Sequence, residues 1–406
     1  MKASPQRIEQ HLASLIAVPS VTGDEYAAQD LVAAMLEEAG ASVERLVVPL
    51  TEIETDPDFP GVEVPHTDLP IVAGRLRGLA PGPTRMVSGH VDVVPPGDPT
   101  SWTTPPFQPD VRDGAMYGRG ACDMKGGLVA AIEALRLVAE AREFAGEIVV
   151  LAVPAEEDGG SGTFAAIKAG YSADACVIPE PTDLGLVVAH AGAITFTLDV
   201  PGRAAHASMR REGVSALDNL SYLVDALKAD EAVRNASATT PEMVEIGLPY
   251  PTIIGQVEGG NWASTVMDRV VAHGRYGVTL EQDCDGAADD LRAAIERAAA
   301  EHEFLADNPV GVTVWGARFD SAALGGDHPL PASLEAAAAR AGARVPARIG
   351  LPAGADMRLF INHADTPTVM YGPGDIRRAH SADEHVALAD VVECAEVLAE
   401  WLVGSG

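Results

Sequence analysis

Basic residues are scarce in this sequence. It has 28 lysines and arginines against 59 aspartates and glutamates, a formal net charge of −31 at pH 7. No basic patch offsets that balance, which excludes a nucleic-acid partner, because phosphate binding draws on clustered cations. Cysteine is scarce as well: Cys122, Cys176, Cys284 and Cys394 are scattered, with no Cys-x-x-Cys. That usage fits a reducing cytoplasm and excludes both a disulfide framework and a thiolate zinc site. There is no run of about 18 apolar residues, so no membrane span is expected. The opening "MKASPQRIEQHLASL" has no apolar core after its charges and does not read as a signal peptide. No Gly-x-Gly-x-x-Gly follows a first strand, which sets aside a dinucleotide enzyme. Internal repeats and low-complexity segments are absent too.

What is present is an ordinary apolar content over 406 residues, enough for a large core or for two to three domains. Two helices are expected within residues 5–40, broken at "VPSVTGDE". "ASVERLVV", "IVAGRL", "TRMVSGHVDVV", "GEIVVLAVPA" and "ADACVIPE" read as strands. "GGLVAAIEALRLVAEA" has the three- and four-residue apolar steps of a helix. The prolines of "PLTEIETDPDFPGVEVPHTDLP" make it a surface excursion, and "PPGDPTSWTTPPFQPDVRDG" a long loop. Strands alternating with helices predict an α/β core with a mixed, largely parallel sheet and helices on both faces. From about residue 193 the order becomes β-α-β-β-α-β, that of a ferredoxin-like α+β domain. The expectation is a discontinuous core, residues 1–192 and 321–406, with a smaller domain inserted at 193–320.

Acids and histidines recur at the predicted ends of the core strands, where open α/β sheets bind ligands. His90 and Asp92 lie two apart in "SGHVDVV", on one side of an extended chain. Asp123 precedes a helix in "GRGACDMKGG". Glu156 and Glu157 end their strand in "PAEEDGG", Glu180 ends the next, and His380 lies in "AHSADEHV". Singly each is weak, since a Glu-Glu pair is usually solvated. Together they form a nitrogen and oxygen donor set suited to zinc, cobalt or manganese. Such a set suffices for two metals sharing a carboxylate, a known hydrolytic arrangement.

The blocks "SGHVDVVP", "PDVRDGAMYGRGACDMKGG", "PAEEDGGSGT", "PEPT" and "AHSADEHV" resemble, in order, those of a dinuclear zinc amidohydrolase and peptidase family. That family contains acetylornithine deacetylase, succinyl-diaminopimelate desuccinylase, aminoacylase-1 and glutamate carboxypeptidase. The resemblance implies that His90 and Glu180 would bind one zinc, Glu157 and His380 the other, and that Asp123 would bridge them. Asp92 would hold the far nitrogen of His90. Glu156 would be the general base. The peptide after Asp123 would be cis. In "PGRAAHAS", His206 would reach a partner subunit's site, which implies a homodimer through the inserted domain. Arg275 and Gly354 would bind a substrate carboxylate. Ser264 stands in "GGNWASTVMDR" where the family more often has asparagine, and Met267 where it has proline, so the usual asparagine contact to substrate is in doubt.

The expected reaction is hydrolysis of an N-acyl amino acid by a metal-bridged water, with two Zn2+ per chain, for which Co2+ or Mn2+ could substitute. A dipeptidase or carboxypeptidase of the same fold is the alternative; a non-catalytic metal- or ligand-binding homologue is another, though it would have no need of Glu156. The remaining histidines, among them His66, match no ligand block and read as surface or core. Asp158 reads as a turn residue or a supporting partner.

Overall fold

The computed structural model describes residues 1–141 and 143–404. The chain forms two compact units: Met1–Val188 with Ala323–Ile349 and Ala355–Gly406, and Ala189–Ala322 with Gly350–Gly354.

The larger sheet runs in the order Ser42–Pro49, Asp68–Arg77, Ala145–Val153, Ala80–His90, Ala175–Ile178, Thr368–Met370, Leu186–His190 and Ala322–Ala323, with Arg348–Leu351 also paired to Leu186–His190. Its centre is parallel: Ala80–His90 pairs in parallel with Ala145–Val153 and Ala175–Ile178, and the latter with Thr368–Met370. The flanks are antiparallel. Parallel strands at the centre need cover on both faces, which explains the unbroken apolar run of "IVVLAV". Ile148, Val150 and Ala152 join one core with Ile8, Leu128 and Leu398. Val149 and Leu151, one residue out of phase, are equally buried. The helices Ser161–Lys168 and Met357–Ala364 pack on strands of the same sheet and on one another.

Because the central strands run the same way, their carboxyl ends lie side by side. Register places His90 opposite Val153, and Val91 N–H donates to the Val153 carbonyl at 3.0 Å. The loops after these strands therefore share one end of the sheet. Close approach there demands glycine: a Cβ on Gly127, at the start of the helix Gly126–Ala141, would stand 1.9 Å from the carbonyl oxygen of Pro179.

The second unit holds a four-stranded antiparallel sheet in the order Thr252–Gly259, Arg269–Val278, Gly192–Pro201, Gly311–Phe319. Its helices Ala216–Ala236 and Cys284–Ala300 fall between strands in the β-α-β-β-α-β sequence. Phe196, Leu198, Leu223 and Leu291 form its core, and this is the ferredoxin-like arrangement. A short helix, Pro241–Ile246, is an addition that the sequence reading lacks.

One stretch read as loop is partly strand. Asp110–Arg112 and Ala115–Tyr117 form a hairpin that His385–Ala387 extends to a three-stranded sheet. Strands of three residues are too short to show alternation, so no pattern announces them.

Candidate metal centre

His90 ends its strand and is almost wholly buried. Its Nδ1 lies 2.9 Å from the main-chain carbonyl of Asp92 and 3.5 Å from the Asp92 carboxylate. Its Nε2 faces Asp123 Oδ1 at 3.2 Å and Glu180 Oε1 at 3.8 Å. His380, on the loop before the strand His385–Ala387, turns its Nε2 to Asp123 Oδ2 at 3.4 Å and to Glu157 at 3.1 Å. The Asp123–Met124 peptide is cis.

The Asp92 carboxylate has a second task that the sequence did not assign. It accepts the backbone N–H of Glu156 at 3.1 Å and that of Glu157 at 3.2 Å, and Thr22 Oγ1 donates to it at 3.1 Å. One carboxylate thus fixes the main chain of both acids, and their side chains diverge. Glu157 meets His380. The Glu156 carboxyl makes no hydrogen bond or ion pair among the described residues, and the charges around it include Asp356, His90 and Glu180.

Burial in such company makes ionisation of all the carboxyls at once unfavourable. Burial, then Asp356, holds Glu156 well above the usual carboxylate range. Glu180 is raised by burial, with His90 opposing. Burial, then Asp123, lifts Glu157 to about 7. Asp123 alone moves down: burial would raise it, and the bonds from His380 and His90 outweigh that. Hydrogen bonds to Asp123 and Glu157 raise His380 to about 10.

His90, Asp123 and Glu157 each offer a donor atom within 4.8 Å of the others. Imidazole nitrogens and carboxylate oxygens, buried and crowded with like charge, are what a divalent cation of the zinc class would neutralise, so the residues present fit such an ion.

Further residues hold these groups. Glu384 Oε1 accepts the N–H of Cys122 at 2.9 Å and of Asp123 at 3.0 Å, while its Oε2 meets Arg119 at 2.5 Å. Lys125 Nζ is buried and donates to the carbonyls of Leu15 and Val18, both at 3.0 Å. Asp356 accepts from Thr163 Oγ1 at 2.5 Å. Arg119, Lys125 and Glu384 lie inside the blocks quoted above. They were passed over because they are not metal-ligand types in the right place, and a buried support leaves no signature of its own.

The other four candidates belong to the second unit. His206 stands on an exposed turn, its Nδ1 accepting from Ser208 N–H at 3.2 Å. Ala207 N–H donates to the Ser264 carbonyl at 2.9 Å, which brings the His206 and Ser264 blocks together. Arg275 is half-buried, and burial lowers its pKa with no charged neighbour contributing. Gly354 packs on Phe319, where a Cβ would come within 2.6 Å of Phe319 Cβ, so a tight contact alone accounts for a glycine there.

Known proteins resemble this chain in sequence and in fold. The chain is 30% identical over 402 residues to a succinyl-diaminopimelate desuccinylase of Gluconacetobacter diazotrophicus, covering 96% of this chain and 94% of that protein. It is 26% identical over 370 residues to the N-formyl-4-amino-5-aminomethyl-2-methylpyrimidine deformylase of Bacillus subtilis, covering 82% of each. In fold it matches an aminopeptidase PepT from Bacillus cereus with a TM-score of 0.72 at 20% identity, covering 98% of both chains. Human carnosine dipeptidase 1 matches with a TM-score of 0.71 at 16% identity, over 98% of this chain and 96% of that one. No helix among the described residues is long and apolar enough to cross a membrane. The model of peptidase family M20/M25/M40 matches residues 86–403, and the chain belongs to that family of metal-dependent hydrolases acting on amide bonds.

Proposed function

We propose that this enzyme removes the acyl group from an N-acyl amino acid, with two zinc ions per chain, replaceable by cobalt or manganese. His90 and Glu180 would hold one ion, Glu157 and His380 the other, and Asp123 both. Two such ions, when bound, supply a Lewis acid and an activated water. The carrying observation is the division of labour between adjacent acids: Glu157 is engaged with His380, while Glu156 is held by its backbone and left with an unengaged carboxyl. A carboxyl that burial holds well above the usual carboxylate range is suited to take a proton from water and return it to the leaving amine. The two sequence relatives, whose names describe removal of a succinyl and a formyl group, favour an N-acyl substrate over a peptide. Arg275, half-buried and with no charged neighbour shifting it among the described residues, is suited to a substrate carboxylate; the backbone at Gly354 and the side chain of Ser264 would assist it. The four buried cysteines, none of them in a disulfide among the described residues, support a reducing compartment, the cytoplasm.

A homodimer through the second unit is part of this reading. Its edge strand Thr252–Gly259 exposes Ile253 and Val257, and Trp262 just beyond is 75% exposed. An unpaired apolar edge calls for cover, and a second copy is the commonest one. His206 would then serve the partner's site.

The test is a panel of N-acetyl, N-succinyl, N-formyl and N-carbamoyl amino acids beside several dipeptides, offered to zinc-loaded protein. The proposal expects at least one acyl class to be cleaved about 10-fold or more faster than any dipeptide, the scale that differing pocket contacts provide. Faster dipeptide cleavage would replace it with the peptidase reading.

A further inference from the structure

Residues 53–67, read from sequence as a surface excursion, run as a strap along the segment that carries the acid pair. Asp56 pairs with Lys168 at 2.6 Å. Phe59 meets the edge of Phe164, ring centroids 6.0 Å apart. His66 Nε2 meets Asp158 Oδ2 at 2.9 Å. The three fastenings come in reverse order along the two segments, so the strap lies antiparallel to residues 158–168 and ends beside Glu157.

The last fastening differs from the others. Lys168 and Asp56 are partly exposed, where an ion pair contributes little. The side chains of His66 and Asp158 are 1% and 2% exposed. The Asp158 carboxylate also accepts the N–H of Glu63 and, at 3.1 Å, that of Val64. Every hydrogen bond that the structure assigns to this carboxylate comes from the strap. Meanwhile the turn before it is closed on the other side, by Asp92 on the amides of Glu156 and Glu157 and by Gly160 N–H on the Ala155 carbonyl at 2.9 Å. The acid pair is therefore held from two directions, and Asp158 supplies the second.

We propose that His66 and Asp158 form a clamp that positions Glu156 and Glu157, with the end of the strap, residues 61–67, as its fixed jaw. Both are positioning residues: neither reaches the reacting atoms, and each acts through the main chain of the turn 155–160. The catalytic part of this inference rests on the deacylase reading above; the metal-binding part rests only on Glu157 as a ligand.

The experiment compares His66→Ala, His66→Gln, Asp158→Ala and the double variant His66→Ala/Asp158→Ala, each verified as folded by circular dichroism. Zn2+ affinity is read by competition with a chromophoric chelator, and kcat and KM are read on the best substrate of the panel. Loss of an outer partner of a metal ligand weakens affinity or turnover by about 10-fold or more. That loss is expected in both alanine variants, in kcat, with KM within about two-fold, because a misplaced catalytic group slows the step without touching the substrate contacts. Gln carries an amide N–H near the place of His Nε2–H, so His66→Gln should recover most of the loss. The double variant should be no worse than Asp158→Ala alone, the signature of one shared interaction. Unchanged Zn2+ affinity and kcat in both folded alanine variants would overturn the clamp, as would losses that multiply in the double variant. If the wild type cleaves nothing in the panel, the deacylase reading fails, and the Zn2+ competition still decides the clamp.

Discussion

Asp123 divides its carboxylate between two histidines: Oδ1 lies 3.2 Å from His90 Nε2, and Oδ2 lies 3.4 Å from His380 Nε2. These histidines come from chain segments almost three hundred residues apart in number, yet each meets one oxygen of the same group. A carboxylate so placed is suited to join two ions. In Asp123→Ala, both Zn2+ sites should weaken together, and elemental analysis after dialysis should find well under one ion per chain where the wild type retains about two. Full stoichiometry in the folded variant would remove Asp123 from the bridging role.

Adjacent acids with different surroundings should fail differently. Glu156→Gln should keep most of its metal and lose about 100-fold or more in turnover, the scale of a missing general acid–base. Glu157→Gln alters one of the two carboxylates that meet His380 and should lower metal affinity first. A Glu156→Gln enzyme near the wild-type rate, measured at saturating Zn2+, would show that the two roles are wrongly divided.

The residues brought together at the sheet end were legible because strand and site obey one rule. "TRMVSGHVDVV" and "GEIVVLAVPA" read as parallel strands, and parallel strands deliver their carboxyl ends to one place. His90, Asp92, Glu156, Glu157 and Glu180 needed nothing more than that. The inserted β-α-β-β-α-β unit was legible for a similar reason, since "AITFTLDVPG" alternates over ten residues and the strand Gly192–Pro201 buries alternate side chains accordingly. His66 was not legible. It sits in a proline-rich stretch without period, and its partner is 92 residues away. Glu384 was visible within "AHSADEHV", but its function is to accept two backbone amides, and such acceptance follows from the turn at Asp123, not from any spacing. Asp92 lay between the two cases: its tie to His90 follows from a two-residue step, while its hold on the amides of Glu156 and Glu157 depends on the register of neighbouring strands.

The homodimer reading carries a complementation test. His206→Ala and Glu156→Gln subunits are each expected to be inactive as homodimers. If His206 serves the partner's metal centre, a heterodimer has one site with both lesions and one with neither. Mixed, exchanged subunits should therefore recover up to about one quarter of wild-type activity per site at equal input, since half of the dimers are mixed and each of those has one intact site. Subunit exchange proven by mass spectrometry without any recovery would assign His206 to its own chain or to no catalytic role.

Stability should depend on pH through Glu25. This residue is 2% exposed, and burial lifts its carboxyl from 4.5 to about 7, with the Gly23 N–H bond opposing and Asp92 adding to the rise. The folded state therefore holds this proton more tightly than the unfolded chain does. Its contribution is fully favourable below the unfolded value of 4.5 and is lost as pH rises towards about 7. Glutamine keeps an oxygen to accept from Gly23 and has no charge to bury. Between pH 5 and pH 8, Glu25→Gln should gain on the wild type by about 2–3 kcal/mol, the size of a carboxyl shift of this order. Urea unfolding of chelator-treated protein at both pH values checks this, because the other titrating groups are shared by the two proteins and cancel in the difference. Parallel stability curves would mean that Glu25 keeps its charge in the fold, and would place a compensating cation beside it.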